Sequence, residues 1–468
     1  MKWALGLAVA VLAGCMTTGR PPVSEPVLQD EGAVYVYLAP LPFEVRGVSF
    51  SATTVAVRAD LGPTIPLRNR LPTIGAADQS PGERLLAHGR LPRGRYPGLD
   101  VAVDSAWSSA RGEKRRLSTP EAPVRVDAPF EVVPGRATVV TLALDPRGTV
   151  NDGDAFSPRL TGAVPARSPP QLLGAASNQR TNDVTLFDGW VRTVSSIVAT
   201  GRTPAGLALD PAVARAWVAL SGQDQIEVVD LSRAESLSRI PMRAGDEPRA
   251  MQMLPDRRTL LVANVRSQTA SFVDGFSTQE LARVPVGDTP WSITLQRGGN
   301  RAFVLNRRSN TITVVDLGTR QAVGTVATDP EPLFGQVSRD GKRLYVIHAG
   351  SPFMIEFALP ALTITRRIRV GLGAVSIRLD PRTDLLYIGH EEVARLEVYD
   401  PVSPMPIDAF DLPSWVSYMA IDDPQDQLFA VMPALDAVAV IDLTSRRLLS
   451  VIDLPGGPYE VRLAAERN

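Results

Sequence analysis

The stretch GDTPWSITLQRGGNRAFVLNRRSNTITVVD, residues 287–316, carries the pattern that decides the fold. A proline at 290 opens it, one apolar run ends at Asn306, and a second apolar run ends at Asp316. Short runs rich in β-branched and aromatic residues, bounded by turn residues, are typical of β-strands. The stretch therefore predicts several short strands that follow one another closely.

The same pattern recurs along the chain at a nearly constant interval. Apolar strands end in an aspartate at 188, 230, 274, 316, 400 and 442, with spacings of 42, 44, 42, 84 and 42 residues. The doubled interval holds one further unit, Met354 to Leu359, in which Ala358 replaces the aspartate. A second series stays in phase with the first at Pro204, Pro248, Pro290, Pro332, Ala374, Val416 and Pro458. A period of about 40–45 residues with four short strands per unit predicts a β-propeller.

Counting the repeats predicts the number of blades. Six complete repeats run 201–242, 243–286, 287–328, 329–370, 371–412 and 413–454. One strand remains at the end of the chain, within 455–468, and three strands precede the first repeat, within 171–200. Together, these four strands would make a seventh blade. Pairing the last strand with the first ones would remove the open sheet edge that otherwise promotes aggregation.

The second strand of each repeat resembles a known family. It reads FVLN at 303–306, LVAN at 261–264, YVIH at 345–348 and YIGH at 387–390, which is similar to the Tyr-Val-Thr-Asn repeat of the YVTN propellers. That family is known from archaeal surface-layer proteins and bacterial exported proteins, and the resemblance covers residues 171–468. It implies the propeller fold and no particular activity, because propellers host many functions.

Residues 33–148 predict a separate all-β unit before the propeller. Val34, Val36 and Leu38 alternate with Tyr35 and Tyr37, turn signals follow, and helical periodicity is missing. An antiparallel β-sandwich is expected. The segments LPRGRY at 91–96 and FEVVPGRATVVTL at 130–142 resemble a transthyretin-like sandwich of bacterial lipoproteins, the DUF4382 type. Residues 149–170, rich in proline and glycine, predict a linker.

The N-terminus predicts export and lipidation. Lys2, the apolar run Trp3 to Ala13 and the sequence LAGC at 12–15 resemble a lipoprotein signal peptide over residues 1–14. The resemblance implies cleavage before Cys15 and acylation of this residue, the only cysteine of the sequence. Residues 15–32 would then tether the first domain to the membrane. Met16 in place of aspartate indicates the outer membrane, by analogy with lipoprotein sorting in enteric bacteria.

Composition restricts the partners. The 49 basic residues nearly balance the 50 acidic ones, so no clustered basic face for nucleic acid is indicated. The sequence contains no Cys-x-x-Cys-His haem motif, no phosphate loop, no dinucleotide fingerprint and no Gly-x-Ser-x-Gly elbow. No cofactor is expected.

Family analogy places a ligand face where the inner strands begin. The residues after the proline series and at the ends of the second strands would point there. Arg249, Trp291 and Tyr459 form an aromatic and cationic set of the kind that anchors interfaces. The second strands would add Asn264, Asn306, His348 and His390. Some of these side chains could instead plug the channel.

The two histidines at one repeat position leave two interpretations open. They could form a metal or acid–base pair with Glu391 and Glu392, although a zinc site needs three or four protein ligands. They could also replace the family asparagine and hydrogen-bond the following turn, which the sequence favours; no metal site is therefore predicted. The repeat aspartates are expected to accept turn N–H groups, and the NDGD sequence at 151–154 is expected to form a linker turn.

Taken together, these patterns predict a non-enzymatic binding or scaffold lipoprotein of the cell envelope. The propeller face would engage a protein or glycan, and the lipid anchor would hold the chain on the membrane, facing the periplasm or the cell surface. One alternative is a lactonase-like hydrolase in which His348 or His390 pairs with Arg249 or a carboxylate across the mouth. Another is an accessory subunit of an envelope redox complex.

Overall fold

The computed structural model describes residues 24–466 except 46, 61, 76–81, 110–113, 148 and 152–154. Cys15, the predicted signal peptide and most of the NDGD sequence lie outside these residues. The described residues are almost all β-strand and turn, as the repeat predicts. No helix in the described ranges combines the length and apolar character that crossing a bilayer requires.

The first unit is built from two large sheets and a small two-stranded sheet. Its strands are β1 (Gly32–Leu38), β2 (Val48–Arg58), β3 (Ile65–Pro66), β4 (Arg68–Asn69), β5 (Thr73–Ile74), β6 (Arg84–Leu91), β7 (Gly94–Ser108), β8 (Arg115–Leu117), β9 (Val124–Val132), β10 (Ala137–Asp145), β11 (Val150–Asn151), β12 (Ala155–Phe156) and β13 (Arg159–Ala163). One large sheet has the order β13-β10-β1-β6-β4, the other contains β3, β2, β7 and β8, with β5 and β9 alongside, and β11 and β12 form the two-stranded sheet. A single apolar core holds residues from both sheets, among them Val34, Phe50, Val101 and Leu142.

Two sequence expectations for this unit need correction. β1 and β10 pair in parallel, so the sandwich is not wholly antiparallel; the long chain between the two strands makes a parallel crossover possible. The predicted linker 149–170 contains β13, which pairs with β10 between Thr141↔Ala163 and Asp145↔Arg159. Turn residues around β13 conceal it, because its five residues expose alternate side chains and carry little apolar pattern.

Seven four-stranded antiparallel sheets follow in the described chain. Three strands come first: β14 (Leu173–Asn178), β15 (Asp183–Asp188) and β16 (Val194–Ala199). Blades 1 to 3 comprise β17 (Pro204–Asp210), β18 (Arg215–Leu220), β19 (Gln225–Asp230), β20 (Glu235–Pro241); β21 (Pro248–Met253), β22 (Thr259–Asn264), β23 (Thr269–Asp274), β24 (Glu280–Pro285); and β25 (Pro290–Leu295), β26 (Arg301–Asn306), β27 (Thr311–Asp316), β28 (Gln321–Ala327).

Blades 4 to 6 repeat this arrangement, and the last strand returns to the first three. They comprise β29 (Pro332–Val337), β30 (Arg343–His348), β31 (Phe353–Ala358), β32 (Thr363–Arg369); β33 (Ala374–Leu379), β34 (Leu386–His390), β35 (Arg395–Tyr399), β36 (Asp408–Asp411); and β37 (Tyr418–Asp422), β38 (Gln427–Met432), β39 (Ala437–Asp442), β40 (Arg447–Asp453). The final strand, β41 (Pro458–Leu463), pairs with β14 and completes the sheet β16-β15-β14-β41, here called blade 7. β41 also packs beside β17 and β37, which closes the ring. Three short 3-10 turns, Phe43–Val45, Pro170–Leu172 and Pro433–Leu435, complete the described elements.

The first unit packs directly on blades 6 and 7. One apolar cluster contains Tyr35 and Tyr37 of β1 together with Ile197 of β16 and Ile452 of β40. Tyr35 Oη donates to Asp183 Oδ2 at 3.1 Å, and Tyr37 Oη donates to the Asp453 carbonyl at 3.1 Å. Residues 33–163 and the propeller therefore share a buried, hydrogen-bonded interface.

Candidate functional site

The inner strands of the propeller all begin at the same end of the central channel. In blade 3, the first residue of β25, Pro290, lies opposite Asn306, the last residue of β26, and the other blades repeat this register. The loops after the second strands and before the inner strands therefore meet at this end. We call this end of the channel the mouth and these loops the mouth face.

A β-bulge sits at the start of the inner strand in five blades. The ladder skips one residue between Pro248 and Ala250, and the same shift recurs in blades 3, 4, 5 and 7. The skipped residues are Arg249, Trp291, Leu333, Val375 and Tyr459. Because a bulge releases a residue from the ladder and re-aims its side chain, the repeat delivers five side chains to the mouth.

Three of these side chains form one cluster, as the sequence predicted for Arg249, Trp291 and Tyr459. The Arg249 guanidinium carbon lies 3.4 Å from the centroid of the Trp291 ring and 4.9 Å from that of Tyr459. A second cation, Arg307, lies 4.7 Å from the Trp291 ring. Cation–π contacts of this kind are worth about 0.5–2 kcal/mol each. We call Arg249, Trp291, Tyr459 and Arg307 the mouth cluster.

A small residue lets Arg249 reach across a whole blade. Arg249 belongs to blade 2 and Tyr459 to blade 7, and blade 1 lies between them. Blade 1 has Ala205 at the equivalent position, fully buried, and the next residue is Gly206. A Cβ on Gly206 would lie 2.6 Å from the Arg249 carbonyl oxygen, so blade 1 cannot carry larger side chains here.

The two arginines of the cluster differ in their partners. Arg307 pairs with Glu331 at 2.8 Å. Arg249 takes part in none of the ion pairs of the described chain, and its buried Nε has no hydrogen-bond partner. Burial raises the pKa of the Tyr459 phenol, an effect that the Arg249 guanidinium partly opposes. Arg249 is therefore held by aromatic rings and its neighbouring phenol rather than by a carboxylate.

Asn264 and Asn306, which the sequence placed on the binding face, lie inside their blades instead. Both are fully buried. Asn306 Nδ2 donates to Thr311 Oγ1 at 3.1 Å and Thr313 Oγ1 at 2.9 Å, and Asn264 bonds Thr269 and Ser271 in the same way. Each amide therefore ties the second strand of its blade to the third and is not available to a partner.

His348 and His390 are buried as well, which also removes them from the predicted face. Nε2 of His348 lies 2.8 Å from Thr328 Oγ1, and its Nδ1 lies 3.2 Å from the Phe353 carbonyl oxygen. Nε2 of His390 lies 2.7 Å from the Val370 carbonyl oxygen. Burial lowers the pKa of His348 to about 4, so its ring is neutral at physiological pH. Within the described ranges, no three His, Cys, Asp or Glu side chains are grouped so that they could hold a metal ion.

The repeat aspartates act as turn acceptors, as the sequence predicted. Asp230 Oδ1 accepts from the backbone N–H groups of Ser232 and Arg233 at 2.8 and 2.9 Å. Asp316 accepts from Gly318 and Thr319 in the same way. These carboxylates fix the turns into the outer strands and lie at the end of the blade opposite to the mouth.

The channel below the mouth is narrow and charged. Its cavity of about 120 Å³ is lined by inner strands of blades 2 to 7. Arg462 bonds Glu460 at 2.7 Å, and Arg378 bonds Glu466 at 2.5 Å. Arg297 also lines the cavity and has no ion pair within the described chain. Of the described residues that line the cavity, three are arginines, Arg297, Arg378 and Arg462, and one is a carboxylate, Glu460, whose pKa burial raises.

Sequence reasoning missed several residues of this site. Arg307 directly follows Asn306, at the end of a second strand, and the sequence did not single it out. Ser417, which the proline series did place at the mouth, has a buried hydroxyl without a hydrogen-bond partner in the described chain. The pairing of Arg378 with Glu466 joins blade 5 to the end of the chain, and no local pattern predicts it.

Comparisons with known proteins establish the fold. A family model described as a YNCE-like beta-propeller matches residues 198–336. Among solved structures, Kuenenia stuttgartiensis hydrazine synthase is 17% identical with a TM-score of 0.54, covering 59% of this chain and 94% of that one. The Myceliophteria thermophila Cps50 (Swd1) beta-propeller domain is 11% identical with a TM-score of 0.51, covering 59% and 95%. No curated protein matches the chain. The chain therefore contains a β-propeller, and these identities carry no further conclusion.

Proposed function

We propose that this chain is a lipid-anchored protein of the cell envelope whose propeller binds a macromolecular partner at the mouth face. The observation that carries the proposal is the mouth cluster, in which Arg249 stacks on Trp291 at 3.4 Å and pairs with no carboxylate of the described residues. Tryptophan, tyrosine and arginine are the residues that dominate binding energy at protein interfaces. An arginine immobilised before binding loses little entropy when a partner arrives.

The size of the channel supports binding over hydrolysis. Pockets for small organic substrates usually enclose about 300–1,000 Å³, whereas the cavity that Ser417 lines within the channel holds about 120 Å³. A cavity of about 390 Å³ lies at the opposite end of the inner strands, and neither His348 nor His390 is among its described lining residues. The lactonase-like alternative needed His348 or His390 to meet Arg249 or a carboxylate across the mouth. Both rings are instead bonded within their own blades and the adjoining loops. A partner that covers the mouth from outside fits these dimensions better.

The path of the N-terminal segment supports anchoring with the mouth near the membrane. The Glu25 N–H donates to the Arg180 carbonyl at 2.7 Å, in the β14–β15 loop of the mouth face. Eight residues, 16–23, separate Cys15 from the first described residue, 24, so nine Cα–Cα steps join the two. Because a fully extended residue spans at most about 3.5 Å, the tether reaches no more than about 30 Å. An acylated Cys15 would therefore hold this side of the propeller close to the bilayer.

Site-specific photocrosslinking in intact cells tests the proposal. A photoreactive phenylalanine would replace Arg308, an exposed residue of the mouth face, in the full-length protein. The matched control places it at Val402, which is 70% exposed in the β35–β36 loop at the other end of the propeller. We expect a discrete adduct from position 308, and the Cys15→Ala variant should lose both membrane partitioning and the adduct. Equal adducts from both positions, or an adduct from 402 alone, would contradict a binding mouth.

A further inference from the structure

The mouth cluster presents an arginine whose N–H donors meet no carboxylate among the described residues. Arg249 stacks on Trp291, with its guanidinium carbon 3.4 Å from the ring centroid, and lies 4.9 Å from the Tyr459 ring, to whose phenol it also hydrogen-bonds. Stacking occupies the faces of a guanidinium, whereas its N–H donors lie in the plane and match a carboxylate in a two-bond fork. The rings therefore fix the guanidinium and leave part of its edge for an acceptor.

The absence of a carboxylate partner sets Arg249 apart from its neighbours. Arg307 pairs with Glu331 at 2.8 Å, Arg283 with Asp246 at 2.7 Å, and Arg243 with Glu280 at 3.0 Å. Arg249 appears in no ion pair of the described chain, although it is half-buried. A half-buried cation without a counter-charge costs stability unless a ligand supplies the charge. The missing partner thus points to an anionic ligand.

Two buried polar atoms at the mouth also lack partners. Nε of Arg249 and Oγ of Ser417 are both inaccessible to solvent and make no hydrogen bond in the structure. Ser417 occupies in blade 6 the repeat position that Tyr459 occupies in blade 7. Buried polar atoms in native proteins almost always have a hydrogen-bond partner, and a bound ligand could supply it at these two atoms. Both atoms can donate a hydrogen bond to a carboxylate oxygen.

We propose that the mouth binds a carboxylate group carried by the partner, with Arg249 as its principal donor. This inference rests on the proposed function and specifies its ligand chemistry. Further along the channel, the described lining residues of the cavity include three arginines, Arg297, Arg378 and Arg462, and one carboxylate, Glu460. This balance of charge favours an anionic group over a cationic one.

Titration of the purified full-length protein with small probes tests this proposal. The probes are glutarate, its uncharged counterpart glutaramide, and inorganic phosphate, with binding measured by calorimetry at low and high salt. We expect saturable glutarate binding that weakens with salt, and at least tenfold weaker binding of glutaramide and of phosphate. Equal binding of glutaramide, or tighter binding of phosphate, would overturn the carboxylate assignment.

Variants locate the binding at the mouth. Arg249→Gln should weaken glutarate binding at least tenfold, whereas Arg308→Gln, an exposed arginine of the same face, should leave it unchanged. Arg249→Lys keeps the charge and loses the planar fork, so it should also bind more weakly; this variant serves if Arg249→Gln does not fold. Unchanged binding in a folded Arg249 variant would refute the inference. If position 308 gives a crosslinked adduct but the protein shows no preference for glutarate, only the carboxylate inference is refuted. If the protein prefers glutarate but gives no adduct, the proposal of a macromolecular partner is refuted.

Discussion

His348 and His390 show that the residues of a blade determine which side chain can be accommodated at the end of its second strand. Asn306 uses the hydroxyls of Thr311 and Thr313, five and seven residues further on. Blade 4 has Phe353 and Ile355 at these positions, which offer no hydroxyl. The longer imidazole of His348 instead reaches Thr328, twenty residues earlier, and His390 reaches Val370 at the same offset. Histidine is therefore a structural replacement where the third strand lacks hydroxyl groups.

This environment determines the effect of His348→Asn. A buried asparagine here lacks the hydroxyls that satisfy Asn306. An unsatisfied buried polar group costs about 1–3 kcal/mol, so we expect His348→Asn to lower the free energy of unfolding by this amount in denaturant titrations. The control is Leu372→Ala, a substitution at a position that is 70% exposed, which should leave the free energy of unfolding unchanged. A neutral His348→Asn would contradict this account.

The same histidine contributes a defined pH dependence. Burial lowers the pKa of His348 to about 4, below the ordinary value of 6.5. Between these values the unfolded chain binds a proton that the folded chain does not, so stability falls as the pH falls from about 6.5 to 4. His348→Gln should reduce this slope, as measured by the unfolding midpoint across that range. An unchanged slope would show that His348 is not held neutral.

At the scale of elements, β41 has the greatest effect for its length. It supplies the inner strand of blade 7, pairs with β14 from Gly174↔Leu463 to Asn178↔Pro458, and packs beside β17 and β37. It also carries Tyr459 of the mouth cluster and Glu460 and Arg462 of the channel. Closure of the ring and assembly of the candidate site therefore depend on the same six residues.

Removal of residues 455–468 should destabilise the protein far more than its length suggests. The truncation exposes the edge of β14 and the apolar residues of blades 1 and 6, and exposed sheet edges promote aggregation. We expect loss of a cooperative thermal transition and aggregation on expression. The control truncation removes only 467–468, beyond Glu466 and its pair with Arg378. A truncated chain that melts like the full-length protein would rule out closure by β41.

At the scale of the whole molecule, the first unit covers apolar residues on the outer strand of blade 7. The outer strands of blades 3 and 4 are largely exposed, whereas β16 of blade 7 is largely buried. Val194 and Ile197 of β16 pack with Tyr35 and Tyr37 of the first unit. The first unit thus covers the blade that joins the two ends of the ring.

Deletion of residues 24–163 should therefore impair the propeller. The propeller has apolar clusters of its own, but the deletion uncovers the residues of β16 and β40 that pack on the first unit. We expect aggregation and a lower melting temperature for residues 164–468. Val194→Thr with Ile197→Thr, which gives β16 a more polar face, should restore solubility in part. A deletion variant as soluble and heat-stable as the full chain would contradict this interface.

The interface also contains a titrating carboxyl. Glu83 Oε2 accepts from the Val194 N–H at 2.9 Å, and burial raises the pKa of Glu83 to about 7. A raised pKa means that its contribution to stability is full below about 4.5 and is lost as the pH rises through 7. Glu83→Gln keeps the acceptor and removes the charge, so it should stabilise the protein by roughly 1–3 kcal/mol at pH 8. This gain should vanish near pH 5 in denaturant titrations; a loss of stability at pH 8 would show that the charge is favourable there.

The sequence by itself determined the strands, the repeat and the residues that share a phase. Period, proline series and turn aspartates are local patterns, and local hydrogen bonding fixes them, so Asp230 and Asp316 behave as predicted. The common phase of Arg249, Trp291 and Tyr459 likewise follows from the repeat. Whether Arg249 and Tyr459 make contact depends on the residue that lies between them in blade 1. The importance of the small Ala205 at this position becomes clear only when the order of the blades around the ring is known.

Only the tertiary structure decided the rest, because it depends on contacts between distant segments. β1 alternates in sequence, yet both of its faces are buried, since Val34 and Val36 meet the second sheet while Tyr35 and Tyr37 meet the propeller. The partners of His348 and His390 likewise depend on loops twenty residues away. The missing counter-charge of Arg249 is a property of all the surrounding blades together, which no local pattern of residues records.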